Sequence, residues 1–320
     1  MKYSTLSIIY IILAIIVLLL GVAAGSSEIF FTYPANEADQ LIVNLRLTRM
    51  LGAFVTGAAL ACSGLIFQAI LKNPLAEPFT LGLSGGSAVG AALSFITGVA
   101  LISTSFTNLF AFIGAIAVLM LVLFISKNAN SSSESLLLSG VITGTIMSGI
   151  LIYLISIFPN ADKLAGITWW MLGNLQTPDY FILISNWILL IVSGILIQYY
   201  ASDIDAMSIG SLEAYNLGVN PKKVLIILTI IGSLLAASTV ALAGIIGFCG
   251  LAVPHIVKLL HGNIHRKLVI PTIALGGIFL MLCDTLSRTF SAREVPIGVV
   301  TSLIGGPLFL WLLNCKKNRL

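Results

Sequence analysis

The sequence predicts an all-α integral membrane protein, a polytopic bundle of about ten transmembrane helices with both termini in the cytoplasm. Two bulk observations predict this class: hydrophobic residues make up 58% of the 320-residue chain, and charged residues make up only 9%. A soluble domain carries about a quarter charged residues, so lipid must be the solvent for most of this chain. A third observation selects helices, because the apolar runs are long and unbroken, whereas a transmembrane β-barrel shows short alternating strands.

The apolar runs place the individual spans, since about 20 apolar residues cross a bilayer as a helix. They lie at about 6–25, 48–71, 80–99, 107–126, 136–158, 181–200, 223–246, 248–263, 268–289 and 297–314. The eighth run is short and contains Pro254, which we expect to break its helix. The first run is longer than the apolar core of a signal peptide, so we expect it to remain as a span.

The basic residues orient the bundle. With a cytoplasmic N-terminus, eleven Lys and Arg residues fall on inner segments and five on outer segments, as the positive-inside rule favours. The basic residues form short clusters between apolar runs, which indicates topology signals and no nucleic-acid surface. The longest polar stretches are 26–47, 159–180 and 201–222. None is long enough for a soluble domain, so we expect residues 1–320 to form one transmembrane domain.

Cysteine and histidine give no metal or disulfide pattern. No CxxC pair is present, and we interpret the four cysteines as small core residues: Cys62, Cys249, Cys283 and Cys315. His261 and His265 share one helix face, but Lys258, Arg266 and Lys267 surround them and would repel a metal cation. We therefore expect this cluster to contact lipid headgroups or a partner and predict no metal site.

Two alternative functions, an intramembrane enzyme and a transporter that works without ATP, would each depend on a few particular residues. Gly82 to Gly86 fits the pattern GxSxG, so an intramembrane serine protease with Ser84 as nucleophile is one alternative. That enzyme needs a histidine at membrane depth beside the serine. An ion-coupled secondary transporter is a second alternative, but the spans carry no chain of buried acids or histidines for it.

Two further features concern charge and nucleotide. The chain has no GxxxxGK[ST] motif, so a triphosphate cannot be bound here in P-loop fashion and any ATP must bind another chain.

Asp284 and Arg288 stand four residues apart late in the ninth span. This spacing predicts an ion pair near the outer surface, either tying the helix end or serving a function.

A series of sequence blocks occurs in a fixed order between about residues 46 and 313. The blocks are Arg46-Leu47-Thr48-Arg49, residues 57–64, Asn73-Pro74-Leu75-Ala76-Glu77-Pro78, residues 136–140, Trp170-Met171-Leu172-Gly173, residues 243–248, Glu294-Val295-Pro296-Ile297-Gly298 and residues 305–309. Together they resemble the permease subunits of ATP-binding cassette (ABC) importers for ferric siderophores, haem and cobalamin, the FecCD-type permeases. Thr48 departs from the proline that is usual at this position in that family.

The resemblance implies a transporter subunit that is not itself an enzyme. Two permeases, a second copy or a close paralogue, would pair around a central translocation path in a bacterial or archaeal inner membrane. Two cytoplasmic ABC ATPases would bind beneath and carry ATP and Mg, so this chain would bind no cofactor. An extracytoplasmic substrate-binding protein would deliver an iron chelate, foremost a ferric siderophore, with haem and cobalamin as alternatives.

The resemblance also implies site residues on the inner side. The segment 201–222 matches the family's ATPase coupling segment, which we interpret as two short helices hinged at glycine; an ordinary loop is the alternative. Its candidate coupling residues are Gly210, Glu213, Ala214, Leu217 and Gly218. The loop 128–135 would narrow the cytoplasmic end of the path, or be a solvated turn. Candidate path and gate residues are Gln68, Asn73, Pro74, Ser131, Ser132 and Ser133.

On the outer side, arginines are the candidate docking residues. Arg46, Arg49 and Arg288 match family positions that face acidic residues of the binding protein, and Arg293 is a further candidate by position. Arginine suits this role because its guanidinium group binds a carboxylate bidentately. The alternatives are contact with headgroups or a local pair with Glu294 or Asp284.

Overall fold

The structure of the protein is a computed structural model that describes residues 3–24, 37–128, 132–158, 161–175, 179–290 and 294–317. Across these residues the chain forms twelve α-helices. They are α1 (Tyr3–Ala23), α2 (Glu37–Ile70), α3 (Leu83–Ile96), α4 (Thr104–Asn128), α5 (Ser133–Ile157), α6 (Ala161–Met171), α7 (Tyr180–Ile209), α8 (Ser211–Asn216), α9 (Pro221–Ala243), α10 (Cys249–His261), α11 (Val269–Thr289) and α12 (Ile297–Lys317). Short 3₁₀ turns at Val99–Leu101 and His265–Lys267 follow α3 and α10.

Each of the ten predicted spans coincides with one helix, so the helical membrane fold is confirmed. By length and composition, α2, α4, α5, α7, α9 and α11 can each cross a membrane, and α1, α3, α10 and α12 contain shorter apolar helical stretches. The two remaining helices, α6 and α8, lie within the polar stretches 159–180 and 201–222. They connect spans and are too short to be spans themselves.

Helix α2 lies at the centre of the bundle, in contact with α1, α7, α9, α10 and α11. Glycine makes this position possible, because Gly57 of α2 and Gly276 of α11 cross with their backbones in contact. A Cβ atom at either residue would overlap the other's carbonyl oxygen. Small residues at helix crossings are the usual means of close packing in membranes, where no hydrophobic force drives helices together.

Helix α10 corrects one prediction, because it runs unbroken from Cys249 to His261 through Pro254. A proline inside a helix leaves the carbonyl group four residues earlier without its helical donor. That carbonyl belongs to Gly250, and the side-chain amide of Gln68 on α2 donates to it at 3.4 Å and to Leu251 O at 3.2 Å. A neighbouring helix therefore satisfies the backbone that proline exposes, which is how membrane helices tolerate the residue.

A backbone junction joins the end of α6, the end of α9 and the start of α12. The amide of Asn174 donates to Ala243 O at 2.9 Å, and the amide of Ile297 donates to Gly173 O at 3.1 Å. Gly173 has a positive φ of 76°, which favours glycine at this crossing. The junction fixes the segment before α12 to the bundle, which matters for the charged residues nearby.

The two ends of the bundle differ in composition. We call the end with Arg46, Arg49, Asp284, Arg288 and Glu294 the arginine end, and the opposite end the α8 end. Chain direction defines both, because α2 and α12 begin at the arginine end, α11 finishes there, and α7 finishes at α8. The predicted topology makes the arginine end the outer one.

Candidate functional site

Asp284 is the centre of a charge cluster at the arginine end. Its side chain has 0% exposure, and it receives Arg49 Nε at 2.9 Å on Oδ1. Arg288 Nε lies 3.0 Å from Oδ2, which confirms the predicted ion pair between residues four apart. A carboxylate this deeply enclosed is stable only with close positive partners, and here it has two.

The same cluster extends to the surface through Glu294. Arg49 Nη1 donates to both carboxylate oxygens of Glu294, at 2.9 and 3.2 Å. The side chain of Arg49 is 13% exposed, and that of Glu294 is 57% exposed. One guanidinium group therefore joins an enclosed acid on α11 to an exposed acid ahead of α12.

The other two arginines bind the end of α1. Arg288 Nη2 donates to Gly21 O at 3.1 Å, and Arg46 Nη1 donates to Val22 O at 3.0 Å. The last carbonyl groups of a helix have no helical donor, and these cations satisfy two that lie near that end. The structure thus brings Arg46, Arg49 and Arg288 together and uses them to tie α1, α2 and α11. Their docking role stays a prediction, and Arg293 lies outside the described residues.

At the α8 end, the predicted coupling segment contains one separate short helix. The first predicted helix of the segment is instead the end of α7. That helix continues without a break to Ile209. The break between α7 and α8 falls at Gly210, where the backbone is extended. Gly218, with a φ of 84°, ends the segment in the left-handed region that glycine favours.

Three large apolar side chains are exposed at α8, among polar ones, although the helix lies at the end of the bundle. Ala214 is buried against the bundle, whereas Leu212, Tyr215 and Leu217 point outward with exposures of 70%, 68% and 68%. Glu213 lies beside Gly210, so a Cβ at that glycine would overlap the Glu213 carboxylate. Exposed apolar side chains grouped on one short element are typical of a protein–protein contact.

Two polar links hold the α8 end together. His265 Nδ1 and Asp205 Oδ1 are 2.6 Å apart, which joins the turn after α10 to the end of α7. Burial lowers the pKa of His265, and the neighbouring Asp205 carboxylate acts in the opposite direction. Lys258 Nζ donates to Gln68 Oε1 at 3.0 Å, which joins α10 to α2.

The predicted path and gate residues lie near this end. Gln68 is buried and bonded to α10, as described above. The Asn73 side chain accepts from the Leu75 amide at 2.9 Å, and Pro74 is exposed beside it. Ser132 caps α5, and Ser133 Oγ donates to Ile70 O at 2.7 Å, so the loop packs on the end of α2. Ser131 lies outside the described residues, and all six path and gate assignments stay predictions.

A hydroxyl-lined groove of about 280 Å³ lies between the start of α3 and α5. Thr80, Ser84, Thr145 and Ser148 supply its hydroxyl groups, and glycines at 82, 85, 140 and 144 make it narrow. The histidines lie in other contacts: His255 packs on Phe309, His261 on Tyr10 and His265 on Asp205. The groove therefore gives Ser84 no histidine of its own, and the protease alternative is not favoured.

A larger cavity of about 610 Å³ lies at the arginine end between α2, α3, α4, α6, α7 and α9. Its walls combine aromatic side chains with polar groups. They include Phe95, Trp169, Trp170 and Tyr180, the amides of Asn108 and Asn174, and the carboxylate of Asp179. Sequence reasoning missed this cavity because its residues come from six separate elements. It also missed Thr145 and Ser148, although their spacing within an apolar helix was a readable signal.

Comparisons with known proteins agree over almost the whole chain. A model of the FecCD transport family matches residues 6–314. The chain is 34% identical to the hemin transport system permease protein HmuU of Yersinia pestis, over 98% of this chain and 95% of that one. It is 31% identical to the probable iron chelatin transport system permease protein of Helicobacter pylori, over 98% of each chain.

The fold is similar to that of a solved ABC transporter assigned to the metal-chelate type and captured in an inward-facing conformation. The TM-score is 0.87 at 28% sequence identity, and the match covers 98% of this chain and 99% of that one. Sequence and fold thus point to the same group of proteins.

Proposed function

The chain belongs to the FecCD transport family, and from this premise we propose that it carries an iron chelate, foremost a ferric siderophore, across the cell membrane. It is a multi-pass permease subunit of an ABC importer, and a separate chain hydrolyses the ATP. It works with ATPase and substrate-binding protein partners. Pairing with a second copy or a close paralogue, with two ATPases beneath, completes the proposal.

The exposed face of α5 is the observation that carries this proposal. Only 17% of the most apolar stretch of α5 is buried, so most of this helix faces away from its own chain. Thr145, Ser148 and Gly149 lie on that face, next to the hydroxyl-lined groove. Polar residues at membrane depth usually face a bundle interior or a water-filled cavity, so we assign this face to a polar path beside a second permease.

The chemistry of that face suits the passage of a chelate better than its tight binding. Thr145 Oγ1 donates to Val141 O at 2.9 Å, and Ser148 Oγ donates to Gly144 O at 3.0 Å. Each hydroxyl thus uses its one donor on the helix backbone and offers only its acceptor lone pairs to a passing molecule. A bulky chelate can slide along such a surface without being held, and specificity then rests with the binding protein.

For coupling, we propose that α8 docks on the ATPase. The exposed apolar side chains of Leu212, Tyr215 and Leu217 would enter a groove of that partner, and the buried Ala214 would pass its motion to the bundle. Gly210 and Gly218 flank the docking element and permit it to move relative to α7 and α9. Glu213, beside Gly210, is the charged member of the set. Short elements between rigid helices are where such motion is absorbed.

The distribution of charge supports the proposed orientation, and the names of relatives support the proposed cargo. Eleven basic residues on inner segments against five on outer ones support a cytoplasmic α8 end, so the arginine end would receive the binding protein. The names of the two relatives mention hemin and iron chelatin, which supports an iron-containing cargo. Haem and cobalamin remain the alternatives. The ATP and Mg that drive transport would sit on the ATPase.

Reconstitution tests the proposal. The permease, its ATPase and its binding protein are placed in liposomes, and uptake of a radiolabelled ferric siderophore is measured. We expect uptake that requires ATP, the ATPase and the binding protein together. Uptake that persists without ATP would refute the proposal in favour of an ion-coupled transporter. Ser84→Ala should leave transport nearly intact, and loss of a proteolytic activity in that variant would revive the protease.

A matched pair of variants tests α8. Gly218→Ala places a side chain at a left-handed φ, which should distort the end of the coupling segment and lower uptake per ATP hydrolysed. Gly98→Ala makes the same substitution at another glycine of positive φ, between α3 and α4, and should leave the ratio unchanged. An equal ratio in both variants, or normal coupling after Glu213→Lys, would contradict the coupling role.

A further inference from the structure

The charge cluster at the arginine end has an enclosed half and an exposed half. Asp284 and Arg288 form the enclosed half, with side-chain exposures of 0% and 6%. Glu294 forms the exposed half. Arg49 lies across the boundary, with Nε on Asp284 and Nη1 on Glu294. The accessible edge of Arg49 is therefore the edge that Glu294 occupies.

The two halves differ in how readily a carboxylate can leave. Removing a carboxylate from the enclosed half would strand two buried guanidinium groups, which is strongly unfavourable. The pair with Glu294 is worth less, because water and salt reach the exposed Glu294 carboxylate once it separates. The carboxylate of Glu294 can thus leave Arg49 at small cost, while that of Asp284 holds Arg49 in position.

The backbone around Glu294 is fixed, so its side chain can leave alone. The amide of Val295 donates to Ser287 O at 3.1 Å, and that of Ile297 donates to Gly173 O at 3.1 Å. Departure of the Glu294 carboxylate needs only side-chain rotation into water. Once the Glu294 carboxylate leaves, Arg49 and Arg288 face Asp284 alone, a formal charge of +1 that would attract an incoming acid.

We propose that Glu294 is an internal stand-in for an acidic side chain of the substrate-binding protein. On docking, the partner's carboxylate replaces that of Glu294 on Arg49 Nη1, and Asp284 keeps the guanidinium group aligned throughout. This inference rests on the proposed function, in which the arginine end receives the binding protein. It assigns the exchangeable contact to Arg49 and gives Arg288 and Arg46 the task of holding α1.

Glu294→Gln tests the exchange directly. The full transporter complex in lipid nanodiscs is titrated with its binding protein, and association and dissociation rates are measured at several salt concentrations. Because the variant removes a competitor worth no more than an exposed ion pair, we expect the affinity to rise by about two- to fivefold. Much of the gain should appear in the association rate, which responds to charges at the rim of an interface.

Glu37→Gln is the matched control. Glu37 is an exposed acid in the first turn of α2, and its substitution removes the same charge from the same end of the molecule. It reports the general electrostatic effect without touching Arg49. An affinity for Glu294→Gln that equals that of Glu37→Gln, or falls below that of the unmodified protein, would overturn the stand-in role.

Arg49→Lys separates this inference from the docking proposal itself. The lysine keeps a positive charge beside Asp284, which protects the fold, but it cannot bind two carboxylates at once with a planar fork. We expect weaker binding, and no further gain when Glu294→Gln is added. Unchanged affinity in Arg49→Lys would sink the docking role of Arg49. Weaker binding in Arg49→Lys with no gain in Glu294→Gln would leave docking in place and remove only the exchange.

Discussion

Helices α2 and α5 have nearly the same hydropathy, yet one is the centre of the bundle and the other lies at its edge. In the most apolar stretch of each helix, 89% of α2 is buried against 17% of α5. Apolar composition fixes only that both helices lie in a membrane. The neighbours of each helix are decided by small residues and by charge.

The polar residues of the two helices differ in what they bond to, and this difference separates a structural role from a role at the surface. On α2, Arg49 and Gln68 reach other helices and satisfy a buried acid and the carbonyl that Pro254 exposes. On α5, Thr145 and Ser148 bond their own backbone and face outward. The polar groups of α2 therefore hold the protein together, whereas those of α5 are available to a surface outside the chain.

The largest expected effect comes from the acid that anchors α2. Asp284→Asn leaves Arg49 and Arg288 without their buried negative partner, and we expect a loss of about 3–5 kcal/mol in the free energy of unfolding. Unfolding in mixed micelles measures it. Glu294→Gln is the control and should cost no more than about 1 kcal/mol, because that pair is exposed. Equal losses in the two variants would contradict the division of the cluster into two halves.

A second pair of variants compares glycines on the two helices. A Cβ atom on Gly64 of α2 would overlap the backbone carbonyl of Gly250 on α10, which cannot move away easily. We expect Gly64→Ala to destabilise the fold by about 1–3 kcal/mol. Gly149→Ala on α5 meets open space and should be neutral or stabilising, by up to about 1 kcal/mol. Similar unfolding free energies would show that α2 is less tightly packed than described.

The smallest effect on stability should accompany a large effect on transport. Ser148→Leu adds apolar bulk to the exposed face of α5, so we expect the unfolding free energy to change by less than about 0.5 kcal/mol. Uptake in liposomes should fall several-fold, because the added side chain narrows the proposed path. Ser185→Leu is the control, since Ser185 is an exposed serine on α7 with the same kind of backbone bond. An equal fall in uptake for both variants would argue against a path along α5.

The sequence predicted the spans well because each is a local property. Twenty apolar residues in a row identify a helix without reference to any other part of the chain. The pair Asp284–Arg288 was predictable for the same reason, since four residues separate its members. The contact of Arg49 with Asp284 joins residues 235 positions apart, and no local sequence pattern predicts it.

The prediction that relied on a helix-breaking residue failed because a tertiary contact replaces the missing backbone hydrogen bond. Pro254 suggested a broken helix, but Gln68, supplied by another helix, satisfies the free carbonyl. The stretch 159–180 hid α6, because a helix of 11 residues is too short to be recognised as a span. The length of α7 was underestimated, because Asp203 and Asp205 interrupt the apolar run from which the span was identified.

Thiol accessibility tests the central claim, that the exposed face of α5 lines an aqueous path. In a transporter assembled from the Cys315→Ser permease and cysteine-free partner chains, the remaining permease cysteines are buried, so a water-soluble thiol reagent should find few targets. Ser148→Cys on α5 is compared with Ile195→Cys, an exposed position midway along α7. We predict rapid labelling of Ser148→Cys and little labelling of Ile195→Cys, which would face lipid. Equal reactivity at the two positions, or an unreactive Ser148→Cys, would contradict the account.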